Sequence, residues 1–351
     1  MKEFMPQNME SKKKVLVTGG LGFIGSHTVL SLIKSGFSPV IVDDCRNSQE
    51  FIHDSLQRLS GTKIPWIKED YQSFDSYREY LEDEDLDGIV HFAAYKAVGE
   101  SVENPMMYFQ NNVSGFIALL NEVLKHDIKN VVFSSSCTVY GQPESNPVTE
   151  QTPMQIAESP YGATKQMCER ILQDFAAAHK EVNSIALRYF NPVGAHHSHE
   201  IGELPLNKPN NLMPLVVMAA KGLIEKLTVY GNDYQTKDGT CIRDYIHVED
   251  LADAHVKALD YLMTPSSENY KFVNLGNGTG YSVLEVIQKF AEVNEVVVPH
   301  EIGERRPGDV EAIYADTSMA REILNWQASK DLSDMVRDSW QWSKFLDKSN
   351  G

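Results

Sequence analysis

Through the first 190 residues, short β-branched runs alternate with helix-length amphipathic segments, and this alternation restricts the fold more than any other feature. The runs "KVLVTG", "PVIVDD", "DGIVHFAA", "NVVFSSS" and "NSIALRYFNP" predict strands, with helical periodicity between them. Strands separated by helices pair in parallel, and the helices cover both faces of the sheet. The expected fold is therefore α/β, a doubly wound parallel sheet over residues 1–190. From Asn191 the rhythm breaks into Pro-, Gly- and Asn-rich loops such as "NPVGAHHSHE" and "YGNDYQTKDGTCIRD". A second, smaller C-terminal α/β domain is expected over 191–351. Regular segments near 244–277 are expected to return to the first domain.

Composition excludes several classes. A chain of 351 residues with 42% hydrophobic content can bury a substantial core. No apolar run approaches the roughly 20 residues of a membrane span, and "MKEFMPQNMESKKK" lacks the apolar core of a signal peptide. A cytoplasmic location is expected, without a membrane partner. The net charge of -17 repels polyanions, so nucleic acid is not an expected partner, while a local basic pocket for a phosphorylated small molecule stays open. Four scattered cysteines argue against a disulfide framework and against a cysteine-rich zinc site.

"KVLVTGGLGFIGSHTVLSLIKSG" reads as strand, glycine turn, helix, with Gly19, Gly22 and Gly25 in a G-x-x-G-x-x-G pattern. The first two glycines permit a tight turn and close approach of a pyrophosphate to the helix N-terminus, and the third lets helix and strand pack closely. A second strand ends at Asp43, 18 residues beyond Gly25, where dinucleotide sites place an acid for the ribose hydroxyls. Asp43 and Asp44 would repel a 2′-phosphate. The expected cofactor is NAD rather than NADP.

In "SPYGATKQMCERIL", Tyr161 and Lys165 stand four residues apart at the head of a helical pattern. By spacing alone they read as an ordinary packing pair. Their neighbours change that reading. The glycine fingerprint, "SSSCTVYG" and "SPYGATK" occur in the order and at the intervals of the extended short-chain dehydrogenase/reductase family, which has the Rossmann fold. In addition, "HFAAYKAVGES", "LRYFNPVGAH", "PNNLMP", "GNDYQTKDGT" and "RDYIHVEDLADAH" resemble the UDP-glucose 4-epimerases of that family, from about Lys14 to about Trp342.

The resemblance implies roles for matching positions. Tyr161 would be the general acid/base, Lys165 would bind the nicotinamide ribose and hold a positive charge near the phenol, and Ser136 would hydrogen-bond the sugar's 4-oxygen. The chemistry is consistent, because a free phenol titrates near pH ~10 and needs a neighbouring cation to ionise at neutral pH. The NAD site would comprise Gly19, Gly22, Phe23, Ile24, Gly25, Asp43, Asn47, Ser48, Asp70, Phe92, Ala93, Lys96, Asn111, Ser134, Lys165 and Tyr189. The UDP-hexose would meet Ser136, Tyr161, Phe190, Asn191, Asn211, Tyr230, Arg243, Tyr245, Arg306, Asp309 and Ile313. Arg243 and Arg306 suit the pyrophosphate, since a guanidinium fork matches phosphate oxygens. The implied reaction interconverts UDP-glucose and UDP-galactose by transient oxidation at C4, rotation of the 4-keto sugar and return of the hydride.

Three positions depart from the family's pattern: Asp44 where asparagine is common, Ala94 where glycine is, and Cys137 where alanine is. None removes a group the reaction needs. A 4,6-dehydratase would carry an Asp-Glu pair where Cys137 and Thr138 stand. A non-catalytic NAD-sensing scaffold would have little reason to keep Ser136, Tyr161 and Lys165 together. Cys137 reads as a small core residue, with redox sensitivity the alternative. His196, His197 and His199 lie in a loop without regular ligand spacing, so no metal is expected. The resemblance also implies a homodimer through the runs "PMMYFQNNVSGFIALLNEVLKH" and "YGATKQMCERILQDFAAAH". Ile313 stands where the family places a residue beside the sugar's C2 substituent, and acceptance of N-acetylated UDP-hexosamines would depend on its size.

Overall fold

The computed structural model describes residues 12–83, 85–206, 209–265, 268–306 and 308–349. Residues 1–11, most of the segment considered above as a leader, lie outside that set. In chain order the first 190 residues form β1 (Lys14–Thr18), α1 (Phe23–Lys34), β2 (Ser38–Val42), α2 (Phe51–Ser60), β3 (Trp66–Ile67), α3 (Arg78–Asp83), β4 (Leu86–His91), α4 (Val98–Glu103), α5 (Pro105–Tyr108), α6 (Gly115–Lys125), β5 (Asn130–Ser136), α7 (Pro160–Ala178) and β6 (Asn183–Tyr189). The remainder forms β7 (Asn191–Val193), α8 (Leu212–Ala220), β8 (Leu227–Tyr230), β9 (Ile242–His247), α9 (Val248–Leu262), β10 (Tyr270–Leu275), β11 (Gly280–Ser282), α10 (Val283–Asn294), β12 (His300–Gly303), β13 (Ala312–Ile313), α11 (Ser318–Leu324) and α12 (Leu332–Ser349).

The five expected strands all form, and they pair in parallel in a seven-stranded sheet of order β10-β6-β5-β4-β1-β2-β3. The two short or late strands, β3 and β10, complete its edges. Side chains alternate between two cores, as the period of two in a strand requires. Val15 and Val17 pack with Val29 and Leu32 of α1 and with α9, whereas Leu16 packs on the opposite side with Phe116, Leu119 and Leu172 of α6 and α7. Strand order reverses between β1 and β4, which opens a crevice at their C-terminal ends.

A smaller unit sits beyond those ends. Strands β11, β9 and β13 form one sheet, β7 pairs with β9, and β12 pairs with β8. Their core joins Val193, Val216, Phe290, Val336 and Trp340. The segment from 244 is divided between the units: β9 belongs to the small sheet, whereas α9 and β10 lie with the large one. β9 leaves the large sheet because its pairing partners are β7, β11 and β13. Among the described residues, no helix is long and apolar enough to cross a membrane.

Candidate active site

The glycine turn is shaped by close approach of backbone. Gly19 has φ +71°, the left-handed region, and a Cβ there would lie 2.8 Å from Ala93 N. A Cβ on Gly25 would lie 2.2 Å from the Gly19 carbonyl oxygen, so α1 can meet the turn only with glycine at that position. Gly22 is the N-cap of α1 and offers no side-chain cap, which leaves the first helical N–H groups, those of Phe23 and Ile24, directed at whatever enters the crevice. That is the requirement of a pyrophosphate cradle.

Asp43 closes one wall. Its carboxylate accepts from Leu21 N (3.0 Å), Cys45 N (2.9 Å) and Ser48 Oγ (2.8 Å). Burial raises its pKa, and these three donors oppose the rise. The carboxylate therefore shapes the glycine turn itself, a part that spacing alone did not reveal. Asn47 is exposed beside it. Asp70 is gripped by Arg46, whose Nη2 lies 2.6 Å from Asp70 and 2.7 Å from Asp44, while Nη1 donates to the Tyr95 hydroxyl at 2.9 Å. Sequence reasoning missed Arg46 and Tyr95 here.

Across the crevice, Phe92 and Ala93 extend β4, with Phe92 N donating to Thr18 O at 3.0 Å. Asn111 lies in a π-helical turn, Phe109–Ser114, a distortion common at functional sites. Its side chain donates to Asn112 Oδ1 and accepts from Gln72.

At the end of β5, Ser134, Ser136, Tyr161, Lys165 and Tyr189 come together. Ser159 caps α7 by accepting from Gly162 N (3.2 Å), and Pro160 occupies the first helical position, so Tyr161 and Lys165 fall on one buried face a turn apart. Lys165 Nζ donates to Ser134 O at 2.6 Å and lies 5.8 Å from the centre of the Tyr161 ring. Ser134 is hydrogen-bonded to the Tyr189 hydroxyl. Burial lowers the Lys165 pKa to about 8 and raises that of Tyr161, while the Ser136 hydroxyl acts on Tyr161 in the opposite sense.

The smaller unit faces this group with a second set. Asp309 binds Arg306 (2.7 Å) and lies 3.9 Å from Arg243, and the Arg306 guanidinium stands 5.5 Å over the Tyr230 ring. Asn191 and Tyr245 are opposite each other in the β7–β9 register, and the Asn191 Oδ1 atom is buried with no partner among the described residues. Asn211 donates to Glu203, which also lies 3.7 Å from Lys96. Glu203 thus links a residue expected at the cofactor to one expected at the sugar, and no motif had marked it. Phe190, Ile313 and Cys137 share one buried apolar cluster. Burial raises the Cys137 thiol to about 12, which disfavours its thiolate, and all four cysteines are free. His196, His197 and Glu249 also approach one another, but the Lys330 ammonium, 3.0 Å from Glu249 and 3.8 Å from Asp338, already supplies a cation there.

A family model described as GDP-mannose 4,6 dehydratase matches residues 16–339. The UDP-glucose 4-epimerase of Bacillus subtilis (strain 168) is 45% identical over 328 residues, which cover 93% of this chain and 96% of its own. The UDP-glucose-4-epimerase from Stenotrophomonas maltophila, crystallised with bound NAD and formylated UDP-arabinopyranose, superposes with a TM-score of 0.93 at 43% identity, covering 96% of this chain and 99% of its own. The UDP-Glc/GlcNAc 4-epimerase from Campylobacter jejuni gives a TM-score of 0.82 at 34% identity, covering 95% and 99%. Cys137 and Thr138 provide no carboxylate pair of the kind a dehydratase would need. With this identity sustained over nearly its whole length, the chain belongs to the UDP-glucose 4-epimerase family.

Proposed function

We propose that this protein interconverts UDP-glucose and UDP-galactose with a resident NAD. The observation that carries the reading is the meeting of Ser136, Tyr161 and Lys165 at the mouth of a glycine-lined crevice, opposite two arginines. Gly19, Gly22, Gly25 and the N-terminus of α1 would take the pyrophosphate of NAD, Asp43 and Ser48 its adenosine ribose, and Lys165 its nicotinamide ribose. When bound, NAD accepts and returns the hydride at C4 of the sugar. Tyr161 as phenolate would take the 4-hydroxyl proton and give it back on the other face, and Ser136 would steer that oxygen. Burial raises the phenol and the Ser136 hydroxyl opposes that rise; the Lys165 ammonium, 5.8 Å from the Tyr161 ring, would favour the phenolate further. Arg243 and Arg306 would anchor the UDP and leave the hexose free to turn over.

Bound dinucleotide released on denaturation, together with conversion of UDP-galactose to UDP-glucose without added NAD, is the expected result. A preparation that needs stoichiometric NAD would overturn the resident-cofactor reading, and one inactive on both hexoses would overturn the function. UDP-N-acetylglucosamine is expected as a slower substrate. Supporting this are Ile313, smaller than a tyrosine, and the likeness to the Campylobacter enzyme.

We further propose a cytoplasmic homodimer. Val98, Val102, Met106, Ile117 and Met167 leave exposed apolar surface on the neighbouring helices α4, α5, α6 and α7, and a second copy of the same face would cover it. A monomer by light scattering at micromolar concentration would refute the dimer.

A further inference from the structure

Behind Tyr161 and Lys165 lies a buried charge pair that the proposed chemistry leaves unused. Tyr161, Lys165 and Glu169 recur every four residues on the buried face of α7. Glu169 receives Arg188 of β6 through Nε at 2.8 and 3.1 Å and Nη2 at 2.5 Å, with side chains only 3% and 2% exposed. Arg188 also donates to the Tyr140 hydroxyl at 3.0 Å and stacks 4.1 Å over Phe272, and Tyr140 in turn donates to Asn274 at 2.6 Å. Ser135, flanked by Ser134 and Ser136, donates to Glu169 at 2.5 Å and stands opposite Arg188 in the β5–β6 register.

A buried ion pair is weak evidence for stability, because apolar side chains of the same volume often pack as well or better. What this pair does is connect the three elements that carry candidate catalytic and cofactor-binding groups: α7 with Tyr161 and Lys165, β5 with Ser134 and Ser136, and β6 with Tyr189. We propose that Glu169 and Arg188 are positioning residues that lock α7 against β5 and β6 and hold a carboxylate one helical turn behind the Lys165 ammonium. This rests on the epimerase reading of the site.

The groups that face Lys165 are Tyr161, Cys168 and Glu169 of α7 and His91 of β4. Burial raises the Tyr161 phenol and the Cys168 thiol, the latter to about 12, and lowers His91 to about 3. The Cys168 thiol and the His91 imidazole are thus uncharged at neutral pH, and against the burial that lowers Lys165 the Glu169 carboxylate favours its charged form. Glu169 in turn is faced by Arg188 of β6 and by Tyr270 of β10.

The test uses the dinucleotide-loaded enzyme and the double variant Glu169→Gln/Arg188→Met, which removes both charges and keeps the volume. Wild-type turnover and an inactive Tyr161→Phe establish the epimerase reading independently, so a failure of that reading is seen before the variant is assayed. The expected result is a folded, loaded protein whose kcat falls about tenfold or more, with KM for UDP-galactose within about twofold. The alkaline limb of its kcat profile should move to lower pH. A loaded double variant with kcat within about twofold and an unmoved limb overturns the inference, as does a loss confined to KM or to thermal stability. If the double variant does not fold, Ser135→Ala, which removes only the hydrogen bond from β5 to Glu169, is read by the same two criteria.

Discussion

The Lys165 ammonium donates to the Ser134 carbonyl across 2.6 Å, joining α7 to β5 where both enter the candidate site. The bond holds a cation inside a buried pocket, and its cost is visible in the lysine's pKa of about 8. Between that value and the 10.5 of an unfolded lysine, the folded state binds fewer protons. This group's penalty is therefore fully present below pH 8 and is relieved as pH rises from about 8 to 10.5.

Lys165→Met should stabilise the dinucleotide-free protein at pH 7. The penalty is at most roughly 3 kcal/mol, and losing the bond to Ser134 O returns about 1. A gain of about 2 kcal/mol, read as a higher Tm with turnover abolished, is expected. A lower Tm would contradict it.

Turnover should carry an alkaline limb beginning near pH 8, as Lys165 loses the proton that favours the Tyr161 phenolate. A kcat profile flat from pH 7 to 10 would count against a cationic role for Lys165.

Tyr161→Phe deletes the phenolic oxygen and little else. It should reduce kcat by about a thousandfold or more while the bound dinucleotide and the melting temperature stay close to wild type. An unchanged rate would remove Tyr161 from the reaction.

Gly25→Ala puts a methyl 2.2 Å from the Gly19 carbonyl oxygen and 2.9 Å from Gly20 Cα, both backbone atoms that cannot yield without moving the turn. We expect a loss of about 2–4 kcal/mol of stability and poor retention of dinucleotide. Measuring both by denaturant titration and dinucleotide content checks it. A wild-type NAD content would show that the turn does not hold the cofactor.

Ile313→Tyr should suppress epimerisation of UDP-N-acetylglucosamine about 10- to 200-fold relative to UDP-glucose, the range that pocket volume gives. Ile313 is 5% exposed and clusters with Phe190 and Cys137, so the larger ring has to turn toward the sugar or disturb that packing. Equal losses on both substrates would point to the packing.

Features written in neighbouring residues were legible in the sequence. The strand runs appeared as β1, β2, β4, β5 and β6, the glycine spacing as a tight turn into α1, and Ser159-Pro160 as the start of the helix that carries Tyr161 and Lys165. Backbone conformation, period-two burial and capping are set over a few residues, so the pattern suffices. β3 has two residues and gave no periodic signal.

What only the tertiary structure decided depends on residues far apart in the chain. Arg46 reaches Asp70 and Tyr95, Glu203 links Lys96 and Asn211, and Arg188 meets Glu169 and Tyr140. None of these pairings has a local signature, because each partner alone reads as an ordinary polar residue. β9 likewise joins β7, β11 and β13 instead of the large sheet. The protonation states follow the same rule: desolvation and enclosed charges, which exist only once the chain has closed around them, lower Lys165 and raise Tyr161.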